Sequence, residues 1–319
     1  MGSDSTDVNY LIFGTGALGS VFGGFLQKSG QNVTYVGLGE HFEKALEDGI
    51  KITGIWGDHE IKEIAGTTDY TSLEEKFDII LLCVKSTHTE AAAEQAATLL
   101  ADGGIMVSIQ NGLNNWETIA DNVGEKRTVG GRIIFGVENP KPGTVKVTVY
   151  ADKVLLGAPF KPVNEKLLNK LVSDLNQAEI PTEKVSKQEI WAAIWGKVLY
   201  NSALNPLGAI LEVAYGKLGE REESRSIMQN IIREIFEVLD AKNITLEYET
   251  WRDYYDFFME KQLPPTSEHH SSMFQDIKAG RTTEIMALNG AVSQYGKELG
   301  IKTPYNDIIT GLVKFKQSQ

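Results

Sequence analysis

A lysine and two asparagines interrupt the apolar stretch WAAIWGKVLYNSALNPLGAI at residues 191–210: Lys197, Asn201 and Asn205, each four positions after the last. At helical spacing such residues stack along one face, drifting by about 40° per step because successive residues turn by ~100°. A lysine is rarely buried without a partner, and a buried amide must have its hydrogen bonds made. The flanking side chains are Trp, Ile, Val, Leu and Tyr, and no Asp or Glu occurs from 190 to 211. A solvated helix face normally carries several charges, so the line reads as a polar feature set into an apolar helix. A cation beside amides suits chemistry in which negative charge builds on an oxygen, because the cation can donate a proton as that charge develops. Pro206 has no backbone N–H and clashes with the preceding turn, which predicts a helix that kinks or ends near Asn205.

A second constellation lies near the start of the chain, where Gly14-Thr15-Gly16-Ala17-Leu18-Gly19 has the spacing GxGxxG. A chain with 31 glycines can produce that spacing by chance. Here it follows the strand-like VNYLIF (8–13) and opens a helical pattern, and in that context it points to a bound dinucleotide. The first glycine permits the tight turn, the second lets the backbone approach a pyrophosphate, and the third allows helix to pack on strand. The end of the next strand reads Tyr35-Val36-Gly37-Leu38-Gly39-Glu40-His41. It has neither the acidic residue that binds a ribose 2′-hydroxyl nor the arginine that accommodates a 2′-phosphate in the expected place. Lys85, after the apolar run DIILLCV, could reach the cofactor ribose or phosphates, or be a solvated strand-end lysine. Gln110-Asn111-Gly112 follows IMVSI at the same sheet edge, although Asn-Gly by itself is a turn signal. Farther on, Glu284 sits among apolar residues after serines that mark a helix start, although an exposed helical glutamate is the default for its type. His269 and His270 are adjacent, project apart and have no companion cluster, so no metal site is expected.

Those residues need elements to position them. Candidate strands at 8–13, 32–36, 78–84 and 105–109 alternate with amphipathic stretches at 18–29, 41–48 and 89–101, which predicts crossover units and a parallel sheet covered on both faces. Residues 129–160 carry Pro and Gly turns between β-rich runs and read as meandering strands. A helix at about 164–177 and a short strand at about 182–185 follow. From about 187 helical patterns dominate (187–204, 207–214, 220–242, 248–261, 269–279, 282–299, 304–315). The expected organisation is an α/β dinucleotide-binding domain over 1–186 and an all-α substrate and catalytic domain over 187–319.

The chain has 319 residues and a formal net charge of −12. An acidic protein with no basic tract is a poor candidate for nucleic-acid binding. No apolar run reaches the roughly 18 residues of a membrane span. The N-terminal MGSDSTDVNY has no charged segment followed by an apolar one, so it reads as a short disordered lead-in rather than a secretory signal. One cysteine, Cys83, excludes an intrachain disulfide and reads as a small core residue. These features favour a cytoplasmic protein.

GTGALG at 14–19, CVKS at 83–86, QNG at 110–112, WGKVLYNSALNPLGAI at 195–210 and SSMFQDIKAGRTTEI at 271–285 together resemble the ketopantoate reductase (2-dehydropantoate 2-reductase) family over nearly the whole chain. The resemblance implies a Rossmann-type domain followed by a helical domain, as in the 6-phosphogluconate dehydrogenase superfamily. It implies NADPH-dependent reduction of 2-dehydropantoate to (R)-pantoate, a step toward pantothenate. By motif position Lys197 corresponds to the general acid, and Glu284 to a carboxylate that orients the lysine and the reacting oxygen. Asn201, Asn205 and Ser272 correspond to substrate-binding positions, and Lys85 and Asn111 to positions near cofactor and substrate. Many members carry a basic residue just after the second strand where this chain has Leu38, so NAD stands beside NADP as the cofactor. Two other readings stay open: a D-2-hydroxyacid dehydrogenase acting on another bulky 2-keto acid, and a non-catalytic dinucleotide-binding sensor. The expected partner is a small 2-keto acid, and a homodimer is compatible with a helical second domain.

Overall fold

The computed structural model describes residues 8–319. The expected lead-in before the first strand lies in residues 1–7, outside the described residues. The chain divides into two compact units, one formed by the residues up to Asn111 together with Asn115–Ile190, the other by Gly112–Asn114 together with Trp191–Gln319.

The first unit begins β1 (Asn9–Phe13), α1 (Ala17–Lys28), β2 (Asn32–Val36), α2 (Glu40–Asp48), β3 (Ile50–Gly54), β4 (His59–Ile61) and β5 (Gly66–Thr67). It continues with β6 (Phe77–Leu82), α3 (Thr89–Ala97), β7 (Leu100–Ser108), α4 (Asn115–Val123), β8 (Thr128–Lys141), β9 (Thr144–Gly157), α5 (Glu165–Gln177) and β10 (Thr182–Lys184). Among the described residues the strands form one ten-stranded sheet, ordered β4-β3-β9-β8-β7-β6-β1-β2-β5 with β10 beside β9. β1 runs parallel to both β2 and β6, and β6 parallel to β7. The expected meander is one long antiparallel hairpin, β8 against β9.

The apolar composition of β1 follows from its place at the centre. Successive strand residues point to opposite faces, and here both faces are covered. Tyr10 and Ile12 enter one core with Phe22 and Phe25 of α1, whereas Leu11 and Phe13 enter another with Ala92, Ala93 and Ala96 of α3. Cys83 packs against the first of these cores, and burial pushes its thiol pKa up.

The second unit is helical: α6 (Lys187–Leu211, beginning in the first unit), α7 (Tyr215–Glu220), α8 (Glu222–Ala241), α9 (Trp251–Phe257), α10 (Ser272–Lys278), α11 (Asn289–Leu299) and α12 (Pro304–Lys316). Two expectations are corrected. Helix α6 does not end at Asn205; it continues through Pro206 to Leu211. Residues 282–299 are not one helix, because a 3₁₀ turn over Ile285–Ala287 precedes α11 and places Glu284 on a turn. Among the described residues no helix is long and apolar enough to cross a membrane. No group of three or more His, Cys, Asp or Glu there could hold a metal ion.

Candidate active site

In the first unit the functional candidates collect at one edge of the sheet because of strand register. Phe13 pairs with Val36 of β2 and with Leu82 of β6, and Leu82 pairs with Ser108 of β7. Four parallel strands therefore end in one row, and the glycine turn, the Leu38 turn, Lys85 and Asn111 follow directly from it. Ligands of open α/β sheets bind beyond these carboxyl ends, where crossover connections diverge to the two sides.

The three glycines of the turn do different work. Gly14 has φ +104°, and a β-carbon there would lie 2.7 Å from Val84 Cγ1 and from Val84 N. A β-carbon on Gly19 would lie 2.3 Å from Gly14 O, so this position fixes the approach of α1 to β1. Gly16 is exposed and has nothing within 4 Å of a β-carbon position. It stands at the N-terminus of α1, which has no side-chain cap and no acidic residue in its first turn. Open space, uncapped backbone N–H groups and the positive end of a helix dipole fit the pyrophosphate of a dinucleotide. Thr15 serves the turn itself: its hydroxyl donates to Val36 O at 3.0 Å, and the same carbonyl accepts Gly14 N at 2.8 Å. Ala17 and Leu18 are half-buried, Leu18 against the core.

Beyond β2, Leu38 is 79% exposed and Glu40, which opens α2, is exposed as well. Lys85 is exposed and precedes a 3₁₀ turn, Ser86–His88. Asn111 is half-buried on a braced loop. Its carbonyl accepts Asn115 Nδ2 at 2.9 Å, Asn115 Oδ1 lies 2.7 Å from Thr89 Oγ1, and Thr89 Oγ1 accepts Gln110 Nε2 at 2.7 Å. Thr89 and Asn115 were not anticipated, since polar side chains on helix starts form no motif in the sequence.

In the second unit α6 carries the polar line. Lys197 and Asn201 are half-buried and Asn205 is 8% exposed, while Trp195, Val198 and Leu199 are fully buried beside them. The Trp195 ring packs on Tyr295 of α11 with centroids 5.8 Å apart. Asn205 is held by two neighbouring elements. Burial pushes the Tyr215 phenol pKa far up, so the hydroxyl stays protonated and donates to Asn205 Oδ1. Ser271 Oγ donates to Asn205 O at 3.0 Å and also caps α10 by accepting Phe274 N. Ser272, the serine singled out by the motif, is the first residue of α10 and is exposed. Ser271 and Tyr215 were not anticipated, since neither role is visible until these helices pack. Glu284 is half-buried between buried Thr283 and Ile285, and Thr283 is anchored by its hydroxyl to Gln317 Oε1 at 2.7 Å.

A glycine turn at the carboxyl edge of a parallel sheet, followed by a helical unit with a lysine–amide line, defines a two-unit dinucleotide-dependent oxidoreductase of the Rossmann type. Residues 10–159 match the family described as ketopantoate reductase PanE/ApbA, and residues 189–317 match its C-terminal counterpart. The chain is 37% identical over 313 residues to a 2-dehydropantoate 2-reductase of Aquifex aeolicus, covering 97% of each chain. It is similar in structure to a D-mandelate dehydrogenase solved with NADH and anilino(oxo)acetate (TM-score 0.86, 26% identity, covering 97% of this chain and 98% of that one). It is also similar to a PanE/ApbA family ketopantoate reductase of Ralstonia eutropha (TM-score 0.85, 26% identity, covering 97% and 98%). The chain belongs to the ketopantoate reductase PanE/ApbA family.

Proposed function

We propose that this protein reduces 2-dehydropantoate to (R)-pantoate with NADPH, Lys197 acting as the proton donor. The observation that carries the reading is the helix of the second unit that sets one cation and two amides among buried aromatic and aliphatic side chains. A nicotinamide dinucleotide, when bound, would supply the hydride that the carbonyl carbon of the keto acid takes up. As negative charge grows on the carbonyl oxygen, the Lys197 ammonium donates a proton to it, giving the alcohol. Glu284 orients the ammonium and the reacting oxygen. With its Oδ1 held by Tyr215, Asn205 offers Nδ2 as a donor to a substrate oxygen, and Asn201, Asn111 and Ser272 supply further polar contacts. In the first unit Gly16 and the start of α1 hold the pyrophosphate, and Lys85 contacts the ribose or phosphates.

Leu38 and the NADH-bound D-mandelate dehydrogenase neighbour favour a second reading, an NADH-linked reductase of another bulky 2-keto acid. An uncharged, exposed side chain at this turn gives a 2′-phosphate no partner, and Glu40 beside it opposes one. Steady-state kcat/KM for ketopantoate, phenylglyoxylate and branched 2-keto acids with each cofactor separates the two. The proposal expects ketopantoate with NADPH to be the best pair; a preference for phenylglyoxylate with NADH transfers the assignment to the second reading. Dinucleotide binding with no turnover of any keto acid rejects both.

A further inference from the structure

Pro206 lies inside α6, which nevertheless runs on to Leu211. A proline in a helix interior removes the N–H that would bond the carbonyl four residues earlier, so Ser202 O loses its helical donor. That residue is fully buried. A buried carbonyl without a donor costs about 1–3 kcal/mol, and the structure supplies one from outside the helix. Asn289 Nδ2, at the start of α11, donates to Ser202 O at 3.2 Å.

The amide that makes this bond is held in turn. Asn289 Nδ2 donates its other proton to Asn306 Oδ1 at 3.0 Å, and Asn306 Nδ2 donates to Glu234 Oε2 at 2.8 Å. Glu234, from α8, also accepts Tyr305 N at 2.9 Å and Asn306 N at 3.0 Å. It thus caps α12, whose own N-cap residue Thr303 makes no side-chain cap bond. Asn289 and Asn306 are fully buried and Glu234 is 1% exposed. The polarity of the chain is fixed at both ends by acceptors, a carboxyl oxygen and a main-chain carbonyl. Each amide can therefore take only one orientation. Asn289 Oδ1 has no hydrogen-bond partner among the described residues, so donation is the contribution of this side chain.

Ser202 follows Asn201 and lies one helical turn before Pro206, and Asn205 immediately precedes the proline. We propose that Asn289 is a positioning residue for the reduction. It replaces the donor that Pro206 removes, and through Asn306 and Glu234 it ties the Asn201–Asn205 segment of α6 to α8, α11 and α12. The proposal rests on the reading of α6 as the substrate and proton-donor helix. It predicts a specific rescue, because Pro206→Ala restores a backbone N–H at the position that should bond Ser202 O.

The test is a double-mutant cycle of wild type, Asn289→Leu, Pro206→Ala and the double variant, assayed with ketopantoate and NADPH well below the melting temperature of each. Asn289→Leu should lower kcat by roughly tenfold while dinucleotide affinity, read by NADPH fluorescence, stays within about twofold. In the Pro206→Ala background the same substitution should cost clearly less of kcat, the remaining loss being that of the bond to Asn306. A kcat loss equal in both backgrounds, or no loss in Asn289→Leu, overturns the proposal. If Asn289→Leu does not fold alone, recovery of folded protein on adding Pro206→Ala is the same coupling read as yield, and failure to recover overturns it. A wild-type protein inert on every keto acid rejects the functional reading instead. The pairing of residues 206 and 289 is then decided by urea midpoints, non-additive if they share the Ser202 carbonyl and additive if they do not.

Discussion

Replacing Gly16 by alanine separates the folding and binding roles of the glycine turn. The backbone at Gly16 has φ −92° and ψ −153°, which alanine adopts without strain, and nothing lies within 4 Å of the new β-carbon. The fold should tolerate it, at a cost below about 1 kcal/mol for changing an N-cap residue. The added methyl occupies the space through which a pyrophosphate would approach the first N–H groups of α1. Losing one charge-assisted hydrogen bond is worth roughly 1.5–3 kcal/mol, which weakens dinucleotide binding by about 10- to 150-fold. Gly19→Ala behaves in the opposite way. Its β-carbon would sit 2.3 Å from a main-chain oxygen of the turn, so α1 must shift off β1. Such overpacking costs about 1–3 kcal/mol and lowers the melting temperature by roughly 2–4 °C for each kcal/mol in a unit of this size. Thermal melts and NADPH fluorescence titrations on both variants read the two effects. A Gly16→Ala protein that binds the dinucleotide as tightly as wild type, or that melts as early as Gly19→Ala, refutes this division of roles.

Lys197→Ala should lower kcat by roughly 10²–10⁴-fold with little change in dinucleotide affinity, the scale of a lost general acid; stopped-flow and steady-state kinetics measure it. Leu38→Arg should raise the NADPH-to-NADH ratio of kcat/KM by about tenfold, since a guanidinium at the turn can pair with a 2′-phosphate. An unchanged ratio would show that the 2′ position lies elsewhere. Burial holds the His41 imidazole below its ordinary pKa of 6.5. The unfolded chain therefore takes up this proton before the folded one does, and stability contributed by neutral His41, complete above pH 6.5, falls as pH drops below it. Urea unfolding at pH 7.5 and pH 5.5 should show a smaller acid loss in His41→Gln than in wild type.

The long central strands and α1 were legible because both faces of the sheet are buried. Residues 10–13 and 79–82 are apolar without interruption, 32–36 carries β-branched and aromatic residues at four of five positions, and GTGALG punctuates the first crossover. Short strands such as His59–Ile61 and Gly66–Thr67 were not, since two or three residues carry no periodicity and owe their form to a neighbouring strand. The same limit applied to Glu284. Its apolar surroundings suggested a helix over 282–299, yet the chain turns at Ile285–Ala287 before α11 begins.

In the proposed active site the sequence by itself determined the kinds of group and their order: a glycine turn after a strand, a lysine and two asparagines at one-turn spacing, a glutamate farther on. Those follow from local periodicity and turn chemistry, which act over a few residues. The tertiary structure decided which hydrogen bonds orient them. Pro206 forecast a helix that kinks or ends because, within the segment, nothing can replace its missing N–H. The replacement comes from Asn289, 87 positions from Ser202 in the chain, and Tyr215 and Ser271 fix Asn205 in the same manner. A hydrogen-bond donor supplied by another helix leaves no trace in the spacing of the helix it completes, and packing alone brings it there.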